Sequence, residues 1–382
     1  MAKKTTTRKK APKRTTVQDK RPDVMMYDPP IGLDRVQGQS RAISVLLQSM
    51  QSGRLHHAWI FHGPEGVGKF TAAVSWAAML LDPSTAPDLH GNLRHDPDSN
   101  IQQLIRAGTH PDLFVIRKEL TPFSENAKIR GNKQRNIPKD ILVEYLVKPA
   151  SLAPSINEGS IAGKVFIIDE AELVDSVGQN SILKTLEEPG PGTLIILVTS
   201  SEDRLLPTIR SRCQRVSFTP LDDDAMRRWI GTQGFDLDPE SHHWYTRYAG
   251  GSPGRFAAAV ESDLYSWHRQ IDPMLSRAMR GEHPAELGAV MSGLIDSWAA
   301  DWVKVGDKLG ENRSKEAANQ KAASMMLSLI AQQAHAGLTD PHRSGVSLQT
   351  IDSVTRANEE LRTNVSFKMV MEHLVAGISE RV

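Results

Sequence analysis

The chain has 382 residues, of which 39% are hydrophobic and 24% are charged, with a net charge of +1 and a single cysteine, Cys213. This length is enough for two or three packed domains, and one cysteine excludes an internal disulfide and a zinc site built on cysteines. No run of residues approaches the roughly 20 apolar positions of a membrane-spanning helix, and the first residues lack the apolar core of a signal peptide. We therefore expect a cytoplasmic protein with no membrane contact.

Positive charge is concentrated in the first 24 residues. This segment contains nine Lys or Arg and two Asp among Thr and Pro, with few apolar side chains. Such a composition cannot offset the entropy of ordering, so residues 1–26 are predicted to be a disordered basic tail. Two roles remain open: a solubilising tail, or an arm that binds DNA through counterion release.

After the tail, strand and helix patterns alternate. Residues 58–62, 165–168 and 194–198 are short apolar runs that predict buried strands, and residues 71–81 and 179–187 have helical patterns. This order predicts an α/β domain over residues 27–219, with a parallel sheet that binds ligands at the carboxyl ends of its strands.

Within this α/β region, residues 124–160 are polar, and we interpret their basic residues as part of a solvated loop.

From about Leu221 the strand patterns stop and helical spacing continues to the end of the chain. We expect a small helical domain over residues 220–262 and a C-terminal helical domain over residues 263–382. Near the C-terminus a four-residue rhythm predicts one buried helix face made of Leu361, Val365, Met369, His373 with Leu374, and Ile378.

The stretch GPEGVGKF, residues 63–70, lies between the first predicted strand and the helix that follows it. Gly63, Gly66 and Gly68 allow a tight turn in which backbone amides converge on phosphate, and Lys69 would reach the β and γ phosphates. The stretch therefore predicts a P-loop nucleotide site for ATP or ADP with Mg²⁺.

Phe70 departs from this P-loop pattern, which has a Ser or Thr hydroxyl at that position to bind Mg²⁺. Thr71 carries a hydroxyl, but the next residue of a helix points about 100° away, which makes it a poor substitute. ATP hydrolysis by this chain is therefore expected to be weak or absent, while phosphate binding by the loop stays open.

Polar residues follow two of the predicted strands. Asp169 and Glu170 come directly after residues 165–168, where Asp169 would hold Mg²⁺ and Glu170 would orient the attacking water. The alternative is a pair of acidic residues that only end a strand. Thr199 ends the next strand, where it would sense the γ-phosphate or position water.

Several stretches together resemble the bacterial clamp-loader branch of the AAA+ ATPases, and most closely its DNA polymerase III delta-prime subunits. These stretches are AWIFHGPEGVGKF, AGTHPDLFVI, GKVFIIDEAELV, NSILKTLEEPGPGTLIILVTSSEDRLLPTIRSRCQRVSF and GGSPGR. The resemblance runs from about residue 34 to 260. It implies an AAA+ P-loop domain with a parallel sheet, a small helical lid domain and an all-helical collar domain for oligomerisation.

The resemblance also implies roles for two arginines. Arg212, in Ser211-Arg212-Cys213, matches the arginine finger that such subunits insert into the ATP site of a neighbour, where a guanidinium stabilises transferred phosphate. Arg255 matches the second sensor on the lid, where it would contact a nucleotide or brace the lid.

Relatives often carry a four-cysteine zinc module that this chain lacks. Residues 82–106 contain no cysteine, and His90, His95 and Asp96 are interpreted as a solvated loop, so no zinc is expected.

The leading hypothesis is a mostly non-hydrolysing stator of the clamp loader. Its partners would be the gamma or tau motor subunits, the delta subunit, the sliding clamp and primer-template DNA. The first alternative is an active ATPase motor of the gamma or tau type, which Lys69, Asp169 and Glu170 favour and Phe70 opposes. The second is a DNA-binding AAA+ protein outside replication, which rests on the basic tail.

Overall fold

The computed structural model describes residues 27–53, 55–130, 136–156, 159–308, 314–361, 363 and 365–380. The predicted basic tail, residues 1–26, lies outside these described residues. The chain divides into two compact units, the first made of residues 1–64 and 68–219 and the second of residues 65–67 and 220–382. The further division of the second unit into a lid and a collar stays a prediction.

The first unit is built on a parallel sheet. Its strands are β1 (Ala58–His62), β2 (Ala86–Pro87), β3 (Leu93–Arg94), β4 (Leu113–Ile116), β5 (Lys164–Ile168), β6 (Thr193–Thr199) and β7 (Gln214–Ser217). Strands β2 and β3 form a separate antiparallel hairpin, and the other five form one sheet in the order β4-β5-β6-β1-β7. All neighbours in this sheet are parallel, which confirms the predicted fold class.

Helices accompany this sheet between successive strands. They are α1 (Ser40–Gln51), α2 (Lys69–Leu81), α3 (Asn100–Arg106), α4 (Lys139–Leu142), α5 (Lys148–Ala150), α6 (Ser176–Glu187) and α7 (Pro207–Arg210), with a π-helical turn, Val143–Val147, between α4 and α5. Every residue of β5 and β6 is buried. Strands covered on both faces lose the polar alternation of a half-exposed strand, which is why their sequences are continuous apolar runs.

The basic residues of 124–160 are interpreted from the sequence as part of a solvated loop, but residues 139–150 are helical, although Lys139 and Lys148 among them are exposed. Ile141, Leu142 and Leu146 are fully buried there and belong to the core of the first unit. Glu144 is also buried, and it accepts hydrogen bonds from the Ser124 hydroxyl at 2.8 Å and the Glu125 amide at 2.9 Å. The sequence on both sides of this short helix is polar, so its few apolar residues do not form a recognisable helical pattern.

The second unit is helical throughout its described part. Its helices are α8 (Asp223–Gln233), α9 (Pro239–Ala249), α10 (Pro253–Glu261), α11 (Leu264–Ala278), α12 (Glu286–Lys308), α13 (Lys315–Gly337), α14 (Ser344–Glu360) and α15 (Phe367–Ser379). One continuous core cluster extends from Leu221 to Ile378. None of the helices in the described ranges is long and apolar enough to cross a membrane.

The prediction of one buried helix face from residue 361 to 378 is wrong. The helix α14 ends at Glu360, and α15 starts anew at Phe367 after Ser366, whose hydroxyl accepts a hydrogen bond from the Met369 amide. Because the chain turns between the two helices, the rhythm does not continue. Met369 is 54% exposed, and the neighbouring Val370 and Met371 are buried instead.

Candidate functional site

The P-loop has the backbone conformation that its glycines predict. Gly63, Gly66 and Gly68 have φ angles of +140°, +75° and +96°, in the region that side chains disfavour. A Cβ atom on Gly63 would lie 2.0 Å from the carbonyl oxygen of Phe218, so no larger residue fits there. The loop therefore leads from β1 into α2 by the turn that phosphate binding requires.

Lys69 is turned back onto the P-loop. It is only 6% exposed, and its Nζ donates hydrogen bonds to the carbonyl oxygens of Gly63, at 2.7 Å, and Pro64, at 2.5 Å. Three N–H donors make an ammonium group suited to bridge such oxygens. In this conformation Lys69 stabilises the loop itself. Thr71, two residues further on, is exposed.

The ends of β4 and β5 place a basic residue beside the first acidic residue. Ile116 and Ile168 are opposite each other in the two paired strands, so Arg117 and Asp169 follow at neighbouring positions. Arg117 Nη2 lies 2.9 Å from Asp169 Oδ2, and Arg117 Nε donates to the same oxygen at 3.0 Å. Burial raises the pKa of Asp169, and the attraction of Arg117 only partly opposes this rise.

Phe70 contacts the same guanidinium group. The centre of the Arg117 guanidinium lies 4.0 Å from the centroid of the Phe70 ring, within the range of a cation–π interaction. Arg117 thus contacts both Phe70 and Asp169. We call these three residues the Arg117 cluster.

Glu170 is paired in the same way with the next basic residue. Lys118 Nζ lies 2.7 Å from Glu170 Oε2 and donates to Glu170 Oε1 at 3.0 Å. Burial alone would lower the pKa of Lys118, but the attraction of Glu170 outweighs it, and the pKa is raised. Both acidic residues predicted to hold Mg²⁺ and water are therefore engaged by Arg117 and Lys118.

The residues of this site do not fit a magnesium ion. Phe70 offers no oxygen, and Asp169 accepts a guanidinium where a metal would need its oxygens. Across the described part of the chain, no group of three or more His, Cys, Asp or Glu side chains is arranged to hold a metal ion. The arrangement supplies a fixed protein cation beside Asp169 and no set of metal ligands.

Thr199 lies at the same edge of the sheet, at the end of β6. It is buried, it is paired with His62 at the end of β1, and its hydroxyl accepts a hydrogen bond from the Ser201 amide at 3.1 Å. Glu172 is partly buried, which would raise its pKa, but hydrogen bonds led by that of the Ser200 hydroxyl lower it. The fold therefore brings Lys69, Asp169, Glu170 and Thr199 to one edge, as their positions after strands predict.

Arg212 contacts Glu187 and Thr208, and not Lys69, Asp169, Glu170 or Thr199. It follows α7, and its Nη2 lies 2.7 Å from Oε1 of Glu187, the last residue of α6, while its Nη1 donates to the Thr208 carbonyl at 2.9 Å. Its side chain remains 37% exposed. Burial raises the pKa of the adjacent Cys213 thiol to about 12.

Arg255 lies in the second unit, near the start of α10. Its guanidinium centre is 5.1 Å from the Tyr248 ring, which stacks on Trp244 at 5.2 Å, and Trp244 stacks in turn on His268 at 5.0 Å. These four side chains form a layered column from α10 through α9 to α11. Arg255 is thus braced by aromatic side chains of its own unit.

The tip of the P-loop, residues 65–67, belongs to this second unit. The Ser252 hydroxyl donates to the Glu65 carbonyl at 2.8 Å, and the Gly254 amide donates to the Gly66 carbonyl at 2.8 Å. A Cβ atom on Gly254 would lie 2.7 Å from the Gly66 Cα, so glycine is needed on both sides of this contact.

Comparison with known proteins agrees with this arrangement of motifs. The family model described as "DNA polymerase III, delta subunit" matches residues 38–222. The DNA polymerase III subunit delta' of Pseudomonas aeruginosa is 33% identical over 263 residues, which cover 67% of this chain and 74% of that protein. The chain belongs to the DNA polymerase III delta-prime family. This assignment confirms the resemblance drawn from the sequence.

Other relatives are matched over less of their length. The Escherichia coli subunit delta' is 29% identical over 220 residues, 57% of this chain and 58% of that protein. The gamma/tau subunit of Mycobacterium tuberculosis is 26% identical over 230 residues, which cover only 36% of that protein. This chain is therefore more similar to these two delta-prime proteins than to that gamma/tau subunit.

Sequence reasoning missed Arg117 and Lys118 as site residues. Both follow an apolar run, residues 113–116, which is the end of the stretch AGTHPDLFVI. The sequence signal for this pairing is that two consecutive basic residues end one strand and the acidic pair Asp169-Glu170 ends another. Strand order is needed to see that β4 and β5 are neighbours.

Proposed function

We propose that this delta-prime family member is a clamp-loader subunit that hydrolyses no ATP of its own and lends Arg212 to the ATP site of a neighbouring motor subunit. The observation that carries the first half is the Arg117 cluster, in which Asp169 is bound by a guanidinium and Phe70 stands where a Mg²⁺ ligand is required. Hydrolysis of ATP needs the metal to bridge and neutralise the β and γ phosphates. Without its ligands the site is a structural element.

The glycine loop remains formed without a nucleotide in this proposal. Lys69 holds the carbonyl oxygens of Gly63 and Pro64, and the loop tip is hydrogen-bonded to Ser252 and Gly254. The ATP or ADP with Mg²⁺ expected from the motif would therefore have to displace Lys69 from these carbonyls. A permanently formed loop suits a subunit that serves as a stator.

Exposure and position support the second half of the proposal. Arg212 is partly exposed on the surface of the first unit, and its partner Glu187 is 47% exposed. Exposed ion pairs contribute only about 0–1 kcal/mol, so Arg212 can leave Glu187 at small cost when a neighbour presents phosphate. An arginine that arrives in this way raises phosphoryl-transfer rates by several orders of magnitude in other systems.

The experiment is reconstitution with a gamma or tau motor subunit and a delta subunit. We expect a stoichiometric complex, no ATP turnover by this chain alone, and DNA-stimulated turnover and loading of a sliding clamp onto primed DNA by the complex. Arg212→Ala should lower turnover of the complex at least tenfold. Arg204→Ala, at an exposed arginine of the same unit, is the matched control and should have no effect.

Two outcomes would overturn the proposal. Rapid Mg²⁺-dependent turnover by the isolated chain would identify it as a motor. Absence of any complex with motor and delta subunits, combined with DNA binding that is lost on removal of residues 1–24, would place it outside clamp loading.

A further inference from the structure

A small cavity lies in the first unit away from the P-loop. It has a volume of about 150 Å³ and is lined by residues that include Gly32, Arg35, Ser75, His95 and Arg106. Ser75 is six residues beyond Lys69 along α2, which corresponds to about 9 Å along the helix axis. No residue of the P-loop, residues 63–70, lines the cavity, so it is distinct from the candidate nucleotide site.

Ser75, one of the residues that line this cavity, carries a hydroxyl that has no hydrogen-bond partner. Ser75 is 2% exposed, and its hydroxyl oxygen is buried without a hydrogen bond. A buried hydroxyl without a partner is costly, so such a group points to a ligand or an ordered water. Because Ser75 lines the cavity, the missing partner is most simply located inside it.

The walls of the cavity supply positive charge. Arg35 comes from the segment before α1, and Arg106 is the last residue of α3. No ion pair joins Arg35 or Arg106 to a carboxylate among the residues that the structure describes. Arg106 donates to the Pro97 carbonyl, which leaves other N–H groups of its guanidinium available. His95 also lines the cavity.

The carboxylates near this cavity are already engaged or lie outside its lining. Asp34 forms an ion pair with Arg94 at 3.0 Å. Asp82 accepts hydrogen bonds from the hydroxyls of Ser84 and Ser99 and from the amide nitrogen of Gln102. No Asp or Glu is among the residues that line the cavity. Its charge is therefore positive where a ligand would lie.

We propose that this cavity binds a phosphate group through Arg35, Arg106 and the Ser75 hydroxyl. Two guanidinium groups and a hydroxyl match the oxygens of a phosphate, and arginine is the residue best suited to bind such oxygens in pairs. The volume is large enough for one such group together with water. The phosphate is either free inorganic phosphate or part of a nucleic acid.

The course of the chain provides a link to nucleic acid. The Tyr27 hydroxyl donates to the carbonyl of Ile105 at 3.1 Å, one residue before Arg106. The first 24 residues, with their nine Lys or Arg, therefore connect to the described chain beside the cavity. A DNA backbone bound at the cavity would contact Arg35 and Arg106, and its affinity would fall steeply with salt.

The test uses the full chain and inorganic phosphate as the probe. Calorimetric titration with phosphate, against NaCl of equal ionic strength, should give saturable binding. Arg35→Gln and Arg106→Gln should each weaken it by about tenfold or more, and Arg41→Gln, at an exposed arginine of α1, should leave it unchanged. Ser75→Ala should also weaken binding while raising the melting temperature of the ligand-free chain by about 2–4 °C, because an unpaired buried hydroxyl is removed.

A second arm distinguishes the sources of phosphate. The probe is a 5′-phosphorylated DNA oligonucleotide. If it displaces phosphate from the wild-type chain and binds more weakly to Arg35→Gln, nucleic acid is the ligand. If the oligonucleotide does not compete, the site is one for free phosphate. The proposal is overturned if phosphate gives no more heat or stabilisation than NaCl, or if Arg35→Gln and Arg41→Gln bind it equally.

Discussion

The guanidinium of Arg117 lies 4.0 Å from the centroid of the Phe70 ring and also contacts the carboxylate of Asp169 at 2.9 Å. The two departures from a working metal site are therefore coupled. Phe70 cannot bind Mg²⁺, and its ring packs against the guanidinium of Arg117. That guanidinium in turn is paired with the Asp169 carboxylate. A single substitution at Phe70 leaves the cation in place.

This coupling predicts how nucleotide binding responds to substitution. Phe70→Thr alone should not create Mg²⁺-dependent binding, because Arg117 still holds Asp169. Phe70→Thr combined with Arg117→Ser should tighten binding of a fluorescent ATP analogue in Mg²⁺ by about tenfold, the effect of one added charge-assisted contact. Titrations with Mg²⁺ and with EDTA measure this difference. Equal gains in the single and the double variant would show that Arg117 does not block Mg²⁺ binding, which would contradict this coupling.

Arg117→Ala should destabilise the first unit in a pH-dependent manner. Removal of one partner from this mostly buried pair is expected to cost about 2 kcal/mol at pH 7, since the Asp169 carboxylate is left uncompensated. Burial already raises the pKa of Asp169, and loss of Arg117 raises it further. A carboxyl group with a higher pKa in the folded state binds more protons when folded, so the deficit shrinks as pH falls from 7 toward that pKa.

Urea unfolding at several pH values measures this deficit. The control compares the double variant Arg117→Ala with Asp169→Asn against Asp169→Asn alone. Neither chain has a carboxylate at position 169 to protonate, so the deficit between them should not vary between pH 7 and 5. A deficit of Arg117→Ala that is the same at every pH would contradict the assignment of the cost to Asp169.

Much of this site followed from the sequence, since motif residues placed directly after apolar runs meet wherever parallel strands end. Lys69, Asp169 and Thr199 come together for this reason. The pairing of Asp169 with Arg117 did not follow, because it depends on β4 being the neighbour of β5 across 52 residues of chain. Strand order is a property of tertiary packing, and local patterns do not encode it.

The helical half was less predictable in detail. Helical spacing identified the region after Leu221, but the rhythm from Leu361 to Ile378 concealed the turn before α15. A Ser at position 366 is a suitable N-cap. Apolar residues continue the rhythm on both sides of it, so the rhythm alone does not show the break. The short helix around Ile141 was missed for the opposite reason, because its apolar residues are embedded in polar sequence.

Glu187→Gln should increase the availability of Arg212 within a reconstituted complex. Loss of the ion pair removes an interaction of up to about 1 kcal/mol, so turnover of the motor subunits should rise at most about fivefold. The gain must disappear when Arg212→Ala is added, because the effect acts only through that arginine. Steady-state ATP turnover of the four complexes forms a double-mutant cycle. A gain that persists without Arg212 would assign Glu187 a role of its own.

The thiol of Cys213 should react slowly in the folded chain. Burial raises its pKa to about 12 from an ordinary value of 9.0, which lowers the thiolate fraction near pH 8 by roughly a thousandfold, and the thiolate is the reactive form. Because it is the only cysteine, a colorimetric disulfide reagent reports on this site alone. A variant with Cys213→Ser and Ser217→Cys moves the thiol to an exposed position of β7 and should react rapidly. Equal rates for the two chains, without denaturant, would mean that the segment beside Arg212 opens readily.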